Sequence, residues 1–197
     1  MRKKQWLAVM ALGIVWGFSG CNSTYMPPAD PNMSDLTQEQ AQEIGKRKIH
    51  VPCSVEVHCA NSLSGQRDSA FFTDHYYYPL RAILVNSFRN AAYQTFEPAK
   101  GEVIDSFTIY VSVQESNLDV AWGNANYQLQ LIVRFNEPGE KKIMATSISK
   151  SIQLPLVSSD KVPDAIYVAC RDAAFEAMQR ILDNPKLWKT VKRFEDR

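Results

Sequence analysis

The chain has 197 residues, with 22 Lys and Arg against 21 Asp and Glu, and 45% of its side chains are apolar. That length suits one domain able to bury roughly two-thirds of its unfolded surface. The balanced charge argues against nucleic acid as a partner, and against a generally basic membrane binder, because phosphate binding needs a basic surplus or a basic face.

The N-terminus reads as a secretory signal. Arg2, Lys3 and Lys4 precede an uncharged apolar run from Trp6 to Phe18, and small residues follow. A run of 13 residues is short for a membrane-spanning helix, which needs about 20. Phe18-Ser19-Gly20-Cys21 resembles the bacterial lipobox, with Phe18 where Leu is usual. The resemblance implies that residues 1–20 are a signal peptide and that Cys21 becomes an acylated N-terminus. Each buried CH₂ contributes about 0.8 kcal/mol, so more than one chain gives a stable anchor. Asn22, where an Asp tends to retain enterobacterial lipoproteins in the inner membrane, points to an outer-membrane protein facing the periplasm. Without residues 1–20 the chain holds 19 basic and 21 acidic residues, a formal charge of −2.

Residues 21–45 read as a tether. The Pro- and Asn-rich 22–33 is followed by a short, sparsely apolar helix over 34–45, capped by Ser34 or Asp35 and ended by Gly45. An α+β domain is expected over 46–183. In "KIHVPCSVEVHC", Ile49, Val51, Cys53, Val55, Val57 and Cys59 share one face of a strand. Pro52 places that strand at an edge or breaks its regularity. Residues 60–75 read as a loop. A helix follows "HYYYP", with Leu80, Ile83, Leu84, Ser87, Phe88, Ala91 and Ala92 on its apolar stripe and Pro79 in its first turn.

Three more strands read as an antiparallel meander. Phe107, Ile109, Val111 and Val113 line the first, and Tyr127, Leu129, Leu131, Val133 and Phe135 the second. Met144, Thr146, Ile148 and Ile152 line the third. A helix over 160–183, capped by Asp160, carries Val162, Ile166, Ala169, Cys170, Ala173, Ala177, Met178 and Ile181 on one stripe. The tail 184–197 places Leu187, Trp188, Val191 and Phe194 on one side of a final helical turn or two, able to dock on the domain or meet a partner or membrane. The expected fold is a two-layer α+β sandwich. A four-stranded, mainly antiparallel sheet carries two helices on one face, in the order strand-helix-strand-strand-strand-helix.

Chemistry-bearing motifs are few. His50, Cys53, His58 and Cys59 are metal-ligand types, but a continuous strand points the histidines away from the cysteines. No metal or other cofactor is expected. Cys53 and Cys59 share a face but lie roughly 20 Å apart along a strand, against a limit near 7 Å for a disulfide. Cys170 faces the same layer, so one of them, with Cys59 preferred, pairs with Cys170. The alternative is three buried thiols packing as small hydrophobes. No hydrolase, nucleotide-binding or metalloprotease signature is present, so the chain reads as a non-enzyme. Asp68, Asp74 and His75 in the loop are the remaining catalytic candidates. The tyrosines of "HYYYP" read as packing against Phe71 and Phe72.

A lipobox, a tether and this element order resemble a group of small Gram-negative accessory lipoproteins of lipopolysaccharide assembly and ABC-type lipid transport. The resemblance implies an accessory or scaffold lipoprotein held by its N-terminal lipid, with a protein partner in the envelope. The competing reading is a periplasmic module binding a lipid or small apolar molecule, in a cavity lined by residues such as Ile83, Phe107 and Met178. A filled core would favour the scaffold.

Overall fold

A computed structural model describes residues 23–25, 35–59, 63–68, 73–99, 106–121, 124–139, 141–155 and 162–195. The strands are β1 (Ser23–Tyr25), β2 (Pro52–His58), β3 (Leu63–Asp68), β4 (Thr73–Tyr78), β5 (Glu97–Pro98), β6 (Phe107–Ala121), β7 (Asn124–Asn136) and β8 (Lys142–Pro155). The helices are α1 (Gln38–Gly45), α2 (Leu80–Ala92), α3 (Val162–Leu182) and α4 (Pro185–Glu195). The fold is a mixed α+β layer pair, with helices over one sheet face.

The meander β6–β7–β8 is antiparallel, as its short connections require. The rest of the sheet corrects the sequence reading. β2 runs parallel to β6, from Cys53 opposite Phe107 to His58 opposite Ser112. The helix between those strands makes a crossover, and a crossover returns the chain in the same direction. Residues 63–68 and 73–78 form the antiparallel hairpin β3–β4 where a loop was expected, and β3 joins β6 in parallel through Gln66 and Asp119. β1, read as tether, pairs in parallel with β4. The sheet is therefore mixed and has eight strands among the described residues, not four. Phe71, Phe72 and Asp160 lie outside the described residues.

The core follows the two predicted periodicities. On α2 the buried residues are Leu80, Ile83, Leu84, Ser87, Phe88, Ala91 and Ala92, the stripe of the sequence reading. On α3 Ile166, Ala169, Cys170, Ala173, Ala177, Met178 and Ile181 are all buried. They meet Phe107, Ile109 and Val111 of β6 and the odd-numbered residues of β7 from Ala125 to Phe135. A bulge between Val113 and Glu115 reverses the facing of β6, so Ser116 and Leu118 turn toward the helices beyond it. Lys150 sits among the inward positions of β8 and reaches Glu176 of α3 at 2.6 Å.

Helix α1 is more firmly held than its sparse apolar pattern implied. Thr37 and Gln40 form a reciprocal capping box. Ile44 is fully buried, and its carbonyl accepts from the Thr95 hydroxyl at 3.0 Å. Gln40 donates to Asp172 of α3 at 3.1 Å.

Candidate functional site

The predicted anchor, Cys21, lies outside the described residues, but the chain beside it is fixed to the sheet. Ser23 pairs with His75, His75 with Gln66, Gln66 with Asp119, Asp119 with Asn126, and Asn126 with Gln153. One row thus crosses six strands close to the β6–β7 turn. Phe107 marks the other end of β6. The rise of about 3.3 Å per residue puts roughly 40 Å between these ends, slightly less for the bulge.

Helix α4 occupies the Phe107 end. The Asn184 side chain caps it by accepting from the Lys186 amide at 2.9 Å. Leu187 and Val191 are buried, and the Phe194 ring meets the Phe107 ring edge-on at 5.6 Å. Arg193 pairs with Glu137. With its apolar stripe spent on the domain, α4 turns Lys186, Lys189 and Lys192 outward, and all three are exposed. None of these three lysines has an ion pair among the described residues. Trp188 flanks them. It is 39% exposed, the one exposed large apolar side chain among the described residues, and its indole donates to the Leu182 carbonyl at 2.8 Å. The tail is therefore a full helix of 11 residues rather than a turn or two.

Three shallow clefts are polar in lining. One of about 330 Å³ lies between Glu137, Lys141, Thr190, Arg193 and Phe194. A second of about 260 Å³ runs over the outer sheet face between Asn117, Asp119, Asn126, Gln128, Ser151 and Gln153. The third, about 160 Å³, separates Glu43 and Arg47 from Gln179 and Asp183. Ile83, Phe107 and Met178, the predicted cavity lining, are 3%, 0% and 0% exposed, and none borders these clefts. Phe107 also stacks on Phe135 at 5.6 Å. Among the described residues, these three side chains are closed in by the core rather than lining an open cleft.

The metal-ligand candidates divide between faces. His50 meets Glu97 at 3.2 Å, and His58 stacks on Tyr110 with ring centres 6.2 Å apart. Cys53 is buried in the core on the opposite side of β2. No three His, Cys, Asp or Glu among the described residues group to hold a metal ion. Asp74 and His75 are consecutive positions of β4, not loop neighbours.

Cys53, Cys59 and Cys170 are present as free thiols. Burial pushes all three upward in pKa; Arg81 partly opposes this at Cys59, and the nearby Cys59 adds to the rise at Cys170. A buried hydroxyl chain that the sequence reading missed lies on the inner face. Ser116 bonds the Tyr78 hydroxyl at 2.9 Å and the Tyr127 hydroxyl at 2.8 Å, and the two rings meet edge-on at 6.1 Å. Burial raises both tyrosines above their ordinary range. Tyr78 therefore packs against the sheet core, and its expected partners Phe71 and Phe72 lie outside the described residues.

No helix among the described residues is long and apolar enough to cross a membrane. No family model matches the sequence, and neither does any curated protein. Solved structures do match. Protein XCC0632 from Xanthomonas campestris, of the family model DUF330, superposes with a TM-score of 0.57 at 10% identity, over 73% of this chain and 91% of that one. A minor lipoprotein from Acinetobacter baumannii gives 0.40 at 10% identity, over 66% and 91%. The hypothetical protein CT253 from Chlamydia trachomatis gives 0.41 at 9% identity, over 68% and 95%. The first likeness establishes a shared fold and no more.

Proposed function

We propose that this chain is a non-enzymatic lipoprotein of the bacterial envelope, anchored through acylated Cys21 and acting as an accessory or scaffold component of a transport or assembly complex. The observation that carries the reading is the lipobox-like stretch Phe18 to Cys21, followed after one further residue by a strand of the folded sheet. Such an arrangement fastens the domain close to the lipid and raises its effective concentration near membrane partners. Asn22 favours the outer membrane, facing the periplasm. The filled core around Phe107 supports the scaffold over a carrier of apolar ligands.

The test is fractionation and affinity purification of the full chain in mild detergent, beside Cys21→Ser. The expected result is membrane association that the variant loses, with one envelope component recovered in stoichiometric amount. A variant that still sediments with membranes overturns the anchor. A lipidated protein that recovers only itself overturns the stable complex.

A further inference from the structure

The cationic face of α4 is not an average sample of the surface. Residues 185–195 carry four basic side chains and one acidic, a net +3, while the mature chain as a whole is −2, so the remainder is −5. This helix is strongly positive while the remainder of the chain, the exposed Lys46-Arg47-Lys48 run included, is negative in sum. Arg193 is engaged by Glu137, which leaves Lys186, Lys189 and Lys192 as the free charges, with the half-exposed Trp188 at their edge.

We propose that this face docks on an anionic lipid surface, and that the surface is not the one holding the acyl chains. Three observations favour lipid over an acidic protein. The free charges are all lysines, which protein–protein interfaces deplete while enriching Arg. Lysines near an anionic bilayer each contribute about fivefold to partitioning. The flanking side chain is a tryptophan, a residue enriched at the headgroup level; its indole N–H is held by the Leu182 carbonyl, so it offers ring surface rather than its polar tip. Because Leu187 and Val191 are buried in the domain, the helix cannot insert; it rests on the headgroups by charge.

The second clause rests on the proposed anchor. Ser23 is paired at the β6–β7 turn end of the sheet, and α4 is at the Phe107 end, roughly 40 Å away by strand rise. Cys21 precedes Ser23 by two residues, a reach of about 7 Å. The lipid therefore holds one end of the domain and the lysines occupy the other.

Two arms test this separately. In the first, unlipidated protein starting after the signal and carrying Cys21→Ser is sedimented with vesicles of phosphatidylcholine, with and without phosphatidylglycerol. Binding is expected only with phosphatidylglycerol, to fall by more than about 100-fold in the combined Lys186→Glu, Lys189→Glu and Lys192→Glu variant, which reverses the charges as well as removing them, and to be lost at high salt. These side chains are exposed, so the variant's circular dichroism should be unchanged; Lys→Gln at the same positions gives a milder loss. Binding indifferent to phosphatidylglycerol, or to the three substitutions, overturns the proposal. Binding to a polyglutamate peptide but not to the vesicles overturns it in favour of an acidic protein. In the second arm, acylated full chain in phosphatidylcholine vesicles should recruit separate, labelled phosphatidylglycerol vesicles. Retention without recruitment overturns the second-surface clause. Failure of the acylated chain to stay in its vesicles overturns the anchor, and with it that clause, while the first arm stands.

Discussion

Leu187 decides whether α4 is part of the cooperative core or an attachment to it. It is fully buried, yet it belongs to a helix of 11 residues that follows α3 after only Asp183 and Asn184. An isolated helix of that length is marginal in water, so α4 exists because it is docked. Leu187→Ala removes buried methyl groups and leaves a cavity, at a cost of about 2–5 kcal/mol in a rigid site. Among the described residues, what holds α4 is Leu187, Val191, the Phe194–Phe107 ring contact, the Arg193–Glu137 pair and the Trp188 indole bond. The cheapest response to the cavity is therefore release of α4, not global unfolding. The expected result is that α4 amides exchange roughly 30-fold to several-thousand-fold faster, while the β6–β7 amides keep their protection. Hydrogen exchange followed by peptide mass spectrometry reads both in one sample. Equal loss of protection in α4 and in β6–β7 would refute the reasoning and make α4 integral to the core. Unchanged α4 exchange would refute the docking role of Leu187.

Four further outcomes are expected. Ser116→Ala leaves the Tyr78 and Tyr127 hydroxyls without their shared partner, and should cost about 1–3 kcal/mol in urea unfolding; a change within error would refute the network. Ser87→Ala should be neutral or stabilise by a few tenths of a kcal/mol, because the buried hydroxyl has no partner and Ala is the better helix former; a clear loss in the same assay would refute that. Burial alone would raise the Glu176 carboxyl, but Lys150 and Arg180 outweigh it and hold it below its ordinary value of 4.5. Its contribution is thus complete above that value and disappears as pH falls through the lower folded value; the urea-midpoint gap between wild type and Glu176→Gln should narrow from pH 7 to pH 3, and a constant gap would contradict it. In reduced native protein, half-exposed Cys59 should alkylate well before the buried Cys53 and Cys170, as intact mass would show. The proposed Cys59–Cys170 pairing in envelope-derived protein predicts blocking of both until reduction, and free Cys59 in that material would dismiss it.

The elements legible in the sequence are those whose apolar residues keep one period against one neighbour. α2 and β7 bury the stripes their spacing implied, and α3 buries its stripe from Ile166 to Ile181, because each faces a single layer. β3 and β4 were not legible. "LSGQRD" and "TDHYYY" have no apolar alternation, and what makes them strands is the free edge of β6 beyond His58. Long-range pairing of that sort leaves no local mark. Ser116 was hidden for a related reason. Strict period two would assign it with Ser112 and Gln114 to the outer face, and the bulge at Val113/Glu115 turns it inward beside two tyrosines. The parallel sense of β2 could be argued from the intervening helix, but an apolar alternation is the same in either direction. Of the candidate surface, Trp188 and Phe194 were visible as a pair. Only the structure separates them, Phe194 against Phe107 and Trp188 at the rim of the lysines.

The length of β6 links these observations. A sheet needs only five or six residues per strand to pair, and the helix-covered part of β6 that pairs with β2 spans Phe107 to Ser112. Yet β6 continues past the bulge at Val113/Glu115 to Ala121, and β7 and β8 extend with it to Asn124 and Pro155. The extension carries β3, β4 and β1 along one edge, and its outer face presents Asn117, Asp119, Asn126, Gln128, Ser151 and Gln153. Those six side chains are almost wholly neutral, while the lysines gather at the far end. A three-stranded antiparallel ribbon, bonded strand to strand on both sides of its one bulge in β6, resists bending better than a tether of the same span. It therefore transmits position from the strand that follows Cys21 to the helix that bears the charge. Shortening β6, β7 and β8 by a matched pair of residues per strand preserves facing, because the side-chain period is two. In the vesicle-recruitment assay such a variant should bring the two membranes closer by about 7 Å, readable as an increase in energy transfer between lipid labels. Unchanged transfer would mean that the sheet is not the spacer.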